Sequence, residues 1–241
     1  IINNRDQGWL GGCNDCLIEN NTFENNGFAR NILNHNIYVD SPSKNPDFSI
    51  HNIMIRGNTL YKSAIVNGEC TGVSLVVHGV IKNLTIENNI IKEDIGAVSP
   101  YCWGIGIDPG NGDREESFTN VIIKNNHLIN MGNIGIECSS CNGVVVENNV
   151  IIDQGHTLKS GIQIPGKPED KVKSNNVSIK NNRVIVSSDE GEGLTVGGSY
   201  VFSVENNIIS QPNATKVSCI VKRDKNIDTE ISSNICNKYS I

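Results

Sequence analysis

A short pattern ending in polar-Asn/Gly/Ser-Asn-x-apolar occurs eight times along the chain: LIENNTF (17–23), MIRGNTL (54–60), TIENNII (85–91), IIKNNHL (122–128), VVENNVI (145–151), SIKNNRV (178–184), SVENNII (203–209) and the worn EISSNIC (230–236). The second asparagine falls at 21, 58, 89, 126, 149, 182, 207 and 234, giving spacings of 37, 31, 37, 23, 33, 25 and 27 residues. A fixed motif with a floor near 23 residues and variable insertions is the signature of a solenoid whose coils differ in loop length. Few other architectures accommodate such a chain.

Each unit holds a strand with period-2 alternation, such as Leu84/Ile86, then the Asn pair, then a second short apolar pair. Asparagine tolerates left-handed backbone, so it suits a sharp bend between strands. Stacked on its copies at about 4.8 Å, its amide can form a hydrogen-bonded ladder along the axis. The β-branched content, the period of 2 and the lack of a capping box before a long amphipathic run argue against helices. A further strand recurs as Ile37-Tyr38-Val39-Asp40, Leu75-Val76-Val77-His78, Ile105-Gly106-Ile107-Asp108 and Ile134-Gly135-Ile136-Glu137. It continues as Ile162-Gln163-Ile164-Pro165 and Leu194-Thr195-Val196-Gly197. Its first and third positions are apolar and expected inward, its second and fourth outward.

This repeat resembles the right-handed parallel β-helix superfamily, the pectate-lyase-like group with short Asn-Asn coil repeats. The resemblance covers residues 16–236 and implies an all-β fold: one β-helix domain over 1–241, about eight coils and three parallel sheets. It also implies action on, or binding to, acidic or complex polysaccharides, as in secreted enzymes and phage tailspikes. The expected location is extracellular, periplasmic or on a virion surface, and three chains could associate side by side as a homotrimer.

The eight cysteines are an even set, compatible with disulfides in an oxidising compartment. Cys13-x-x-Cys16 and Cys138-x-x-Cys141 suggest a four-cysteine zinc site. In a solenoid, however, they lie about four coils apart, roughly 19 Å at a strand spacing of about 4.8 Å. Each pair is therefore expected as a local disulfide or two structural thiols, with Cys70/Cys102 and Cys219/Cys236 as cross-links between neighbouring coils. Four N-x-S/T sequons occur, at Asn20, Asn83, Asn176 and Asn213.

A net charge of −6 argues against nucleic-acid binding through a basic face. No apolar run reaches about 18 residues, so no membrane-spanning helix is expected. The opening IINNRDQGWLGG has no basic region followed by an apolar stretch, so no signal peptide is expected there. The chain reads as one entered mid-structure, with an N-terminal coil edge that invites pairing.

Read down the coils, the fourth positions place Asp40, His78, Asp108 and Glu137 in one outward column. Gly106 and Gly135 in the neighbouring column are expected to leave the sheet bare and open a shallow groove. The insertions 41–52, 93–103 and 109–119 rise beside it, where function concentrates. A histidine between carboxylates can exchange protons near neutral pH, and crowded carboxylates resist ionising together. Asp40, Asp108 and Glu137 could instead share Ca²⁺, although the sequence requires no cofactor.

Either arrangement suits elimination or epimerisation of a uronate. That chemistry needs the sugar carboxylate neutralised, a base for the C5 proton and a proton donor. His78 is the candidate base or acid, Tyr38 or Tyr101 the partner, and Arg30 or a bound cation the neutraliser. His35 stands at a strand entrance, and Trp103 and Tyr101 could stack on sugar rings. Hydrolysis by a carboxylate pair is a further possibility.

His78-Gly79 is similar to the histidine-glycine element of polygalacturonases, whose paired aspartates and Arg-x-Lys element are missing here. Gly106-Ile107-Asp108-Pro109 is similar to part of the Asp-Pro-His-Asp element of mannuronan epimerases, with Gly110 where the histidine would be. The competing expectation is a non-catalytic surface, fibre or tailspike-type glycan-binding protein, in which the column is only a solvated face.

Overall fold

The computed structural model describes residues 1–29, 33–41, 49–110, 115–155, 157–167, 170–197, 201–223 and 228–238. Arg30, His156 and the middle parts of two insertions, 42–48 and 111–114, lie outside them. The described chain forms three parallel sheets of eight strands each, and every coil adds one strand to each sheet in chain order. This is a parallel β-helix of eight coils. The first sheet is built from Trp9–Gly11, Ile37–Asp40, Val73–His78, Trp103–Ile107, Ile134–Cys138, Ser160–Ile164, Glu192–Val196 and Ile220–Lys222. The second contains the strands that run into the Asn motifs, among them Val80–Glu87 and Cys141–Glu147, and the third the short strands that follow, such as Ile90–Lys92.

The Asn-Asn pair makes the corner between the second and third sheets, and its two members do different work. The first residue turns the chain: Asn20, Asn88, Asn125, Asn148, Asn181 and Asn206 have φ of 54 to 57°, with Gly57 and Ser233 in the same role. Asparagine populates this left-handed region more readily than other non-glycine residues. The second residue faces inward and forms the expected ladder. Asn89 Nδ2 donates to Asn126 Oδ1 (3.0 Å) and to the Ile55 carbonyl (2.9 Å), and the Asn89 backbone N–H donates to Asn126 Oδ1 (3.0 Å). The scheme repeats from Asn21 to Asn234, so polar side chains sit in the core with their hydrogen bonds satisfied.

Around the ladder, inward columns such as Ile55, Ile86, Ile123, Val146, Ile179 and Val204 are fully buried. Outside the second sheet, strand register places Glu19, Arg56, Glu87, Lys124, Glu147, Lys180 and Glu205 side by side. Their signs alternate coil by coil, with ion pairs Arg56–Glu19 (2.5 Å), Lys124–Glu87 (3.1 Å) and Lys180–Glu147 (3.3 Å).

The cysteines pair as Cys13–Cys16, Cys70–Cys102, Cys138–Cys141 and Cys219–Cys236, with Cα separations of 5.2–6.0 Å. Each CxxC closes on itself, and the other two pairs tie sequence-distant segments. A small antiparallel hairpin, Ile65–Val66 with Glu69–Cys70, interrupts one coil and was not legible in the repeat.

Candidate functional site

The outer face of the first sheet carries the expected column, with one correction. Asp40 pairs with His78, and Val77 with Ile107, which brings Asp108 next to His78. Glu137, however, pairs with Gly106 and Gln163, not with Asp108. The fifth coil is shifted by two residues from the sequence alignment because its inward pair is Ile136 and Cys138, not Ile134 and Ile136. Cys138 is fully buried and packs as a small apolar residue, so it fills a position that only aliphatic residues were expected to fill. The fourth position beside Asp108 therefore falls to Ser139, whose N–H donates to the Ile107 carbonyl (2.8 Å) and whose hydroxyl donates to Asp170. Gly135 is also displaced from the outer face: a Cβ there would lie 2.5 Å from the Gly161 carbonyl oxygen and 3.0 Å from Ile151 in the interior.

His78 ends its strand and is fixed from several sides. Its Nδ1 lies 2.5 Å from the Asp108 carbonyl oxygen. A carbonyl only accepts, so Nδ1 carries the proton, and the neutral tautomer with that proton has its lone pair on Nε2. Glu116 Oε2 lies 3.9 Å from the same Nδ1. That buried carboxylate accepts the N–H of Gly79 (2.8 Å) and of Gly110 (3.1 Å), joining the residue after His78 to the loop after Asp108. Gly110 packs flat on the imidazole, and a Cβ there would lie 3.3 Å from Cγ.

Of the three carboxylates expected to share a cation, Asp108 and Glu137 do share one, but it is a side chain. Lys167 Nζ lies 2.6 Å from Glu137 Oε1 and 3.6 Å from Asp108 Oδ2. Gln163 Nε2 donates to Glu137 Oε2 at 2.9 Å. Burial raises the pKa of both acids, against the opposing pull of Lys167 on each and of His78 on Asp108. Burial also opposes the Lys167 charge, yet Glu137 and Asp108 hold its pKa above the ordinary lysine value. The Lys167 ammonium group stands between Asp108 and Glu137, and among the described residues Asp40, Asp108 and Glu137 contribute to no cluster of three close metal ligands.

Beside His78 opens a cleft of about 280 Å³ lined by His35, Val73, Val76, His78, Tyr101, Trp103, Asp108 and Gly110 with Gly72. Five candidates from the sequence, His35, His78, Tyr101, Trp103 and Asp108, are thus brought together. Tyr38 stands edge-on between the two imidazoles, 5.4 Å from each ring. Asp40 and Glu137 do not line the cleft, and Arg30 lies outside the described residues. Gly106 keeps the floor open as expected, since a Cβ would meet Val73 at 3.3 Å and Trp103 at 3.7 Å. His35 is buried, donates Nδ1–H to the Val73 carbonyl (2.9 Å), and has its pKa lowered to about 4 by burial. Tyr101 is exposed and Trp103 half-buried.

A second groove of about 620 Å³ lies further along the same sheet, lined by Asn133, Ser160, Gln163, Glu192 and Arg223 among others. Pro100 borders this groove and Tyr101 the first cleft, so the 93–103 insertion divides them.

Lys167 and Glu116 were not singled out from the sequence. Neither belongs to a motif; the available signal was electrostatic, because carboxylates pressed against a sheet require a cation or amide donors nearby.

No protein-family model matches the sequence, and no curated protein matches it. Among solved structures, the Pseudomonas phage phi297 tailspike gp61 aligns over 93% of this chain and 43% of its own, at 12% identity and a TM-score of 0.41. The chain thus spans less than half the length of that protein.

Proposed function

We propose that the chain is a carbohydrate-active protein whose His78 cleft holds one residue of an acidic extracellular polysaccharide and acts on it by lyase- or epimerase-type proton transfer. The observation that carries this reading is the His78 tautomer: with Nδ1–H committed to the Asp108 carbonyl, Nε2 is the basic nitrogen of a cleft flanked by Trp103 and Tyr101. Nε2 would remove the C5 proton of a bound uronate. Tyr101, or Asp108 with its raised proton affinity, would then give a proton to the departing O4 as the C4–O4 bond breaks and the C4=C5 double bond forms, or, in epimerisation, to C5 from the opposite face. Lys167, in contact with Asp108 and partly exposed, is the described cation best placed to offset the sugar carboxylate. The second groove on the same sheet supports a polymer longer than one sugar, and four disulfides fit an oxidising compartment.

The test is turnover of alginate, pectate and glucuronan, followed by ultraviolet absorbance of the unsaturated uronate product and by proton exchange at C5. The variant His78→Ala should lose activity about 10²- to 10⁴-fold with its β-sheet circular dichroism intact. Ordinary turnover by that variant removes His78 from the chemistry.

A second reading, glycan binding without turnover, is favoured by the prior engagement of the nearby acids. Lys167 holds Asp108 and Glu137, and backbone amides hold Glu116. Saturable binding of oligosaccharides with no product from the unmodified chain would select it.

A further inference from the structure

A second cluster of chemistry-bearing side chains lies away from the His78 cleft, at a corner where three parts of the chain meet. Cys70 ends the small hairpin, Glu93 follows the strand Ile90–Lys92, and Cys102 precedes the strand Trp103–Ile107. The two sulfurs and a carboxylate oxygen of Glu93 all lie within 4.8 Å of one another, and all three residues are buried. Among the described residues this is the group of three or more His, Cys, Asp or Glu ligands that comes so close together.

Glu93 is the residue that the fold alone leaves unexplained. Its Oε1 accepts the Ser63 N–H at 2.8 Å, but its Oε2 is buried without a hydrogen-bond partner. A glutamine would serve Ser63 equally well. An orphaned carboxylate oxygen beside two sulfurs is a ligand atom in search of a cation, because buried polar groups without partners are uncommon and each calls for a physical reason.

We propose that Cys70, Cys102 and Glu93 form, once their disulfide is reduced, a three-ligand site for a thiophilic divalent cation of the zinc type. One ion with bonds of about 2.3 Å to sulfur and about 2.0–2.2 Å to oxygen fits a ligand set of this span. The oxidised and metal-bound states exclude each other. With a phosphine as reductant, the phosphorus takes the oxygen of water to become the phosphine oxide, the S–S bond breaks, and each sulfur leaves as a thiol. The cation then displaces both thiol protons, and its charge balances two of the three negative ligands, the two thiolates and the Glu93 carboxylate.

The test uses the full chain, reduced with a phosphine under anaerobic conditions and titrated with Co²⁺, then competed with Zn²⁺. Sulfur-to-cobalt charge-transfer absorbance and metal stoichiometry report the ligands, and circular dichroism reports the fold. A variant with Cys13, Cys16, Cys138 and Cys141 changed to Ser removes the CxxC thiols and should still bind one equivalent. Glu93→Gln, which keeps an acceptor for Ser63, should weaken binding at least tenfold, and Cys102→Ser should abolish it. Equal affinity in Glu93→Gln, binding that disappears with the CxxC thiols, no binding by the folded reduced chain, or loss of the sheet signal on reduction would each overturn the site.

Discussion

His35 shows what burial does to one side chain on this scaffold. Its pKa is lowered to about 4, because the charged ring would lose its hydration inside the cleft wall. The unfolded chain takes up this proton near pH 6.5, earlier than the folded chain on acidification. Its contribution to stability is therefore present above about pH 6.5 and lost as the pH falls towards 4, by about 3 kcal/mol across that window. Urea unfolding at pH 7, 5 and 4 should show the decline, and His35→Gln should flatten it. A different residue-level cost applies to the ladder. Asn126→Ala would strip the acceptor from the buried Asn89 N–H and the donor from the Ile86 carbonyl. At about 1–3 kcal/mol per orphaned group, a loss of about 3 kcal/mol or more should appear in the same denaturation assay.

At the scale of the strand, outward charge contributes to register. Lys124 sits between Glu87 and Glu147, so Lys124→Glu would place three carboxylates on adjacent coils. Exposed pairs of this kind contribute roughly 0.2–1 kcal/mol each, so the variant should lose about 1–2 kcal/mol in low salt and recover part of it in high salt. The same scale explains how much was legible beforehand. The coils were readable because the Asn-Asn corner is a local demand of the backbone, met by a short motif in every turn. Sheet membership and the neighbourhood of His78 and Asp108 followed from counting along those motifs. The place of Glu137 did not, because a buried cysteine replaced an aliphatic residue in the inward alternation and moved one strand by two. Lys167 and Glu116 were hidden for another reason: they reach the site from insertions whose length the repeat does not govern.

Over the whole molecule, each coil touches only its neighbours, so stability is close to a sum of coil terms and nearest-neighbour interfaces. The alternating charges on the second sheet give that sum a parity. Deleting residues 127–149 would rejoin the ladder at Asn126 and Asn182 but set Lys124 beside Lys180, like against like. Deleting residues 127–182 would rejoin it at Asn126 and Asn207 and set Lys124 beside Glu205, with opposite signs restored. At low ionic strength the longer deletion should cost less stability per coil removed than the shorter one, a difference that guanidinium titration cannot show but urea titration with added salt can erase. A rod of this kind can change length most cheaply in steps of two, so coil duplication and loss along such a chain would tend to conserve an odd or even count.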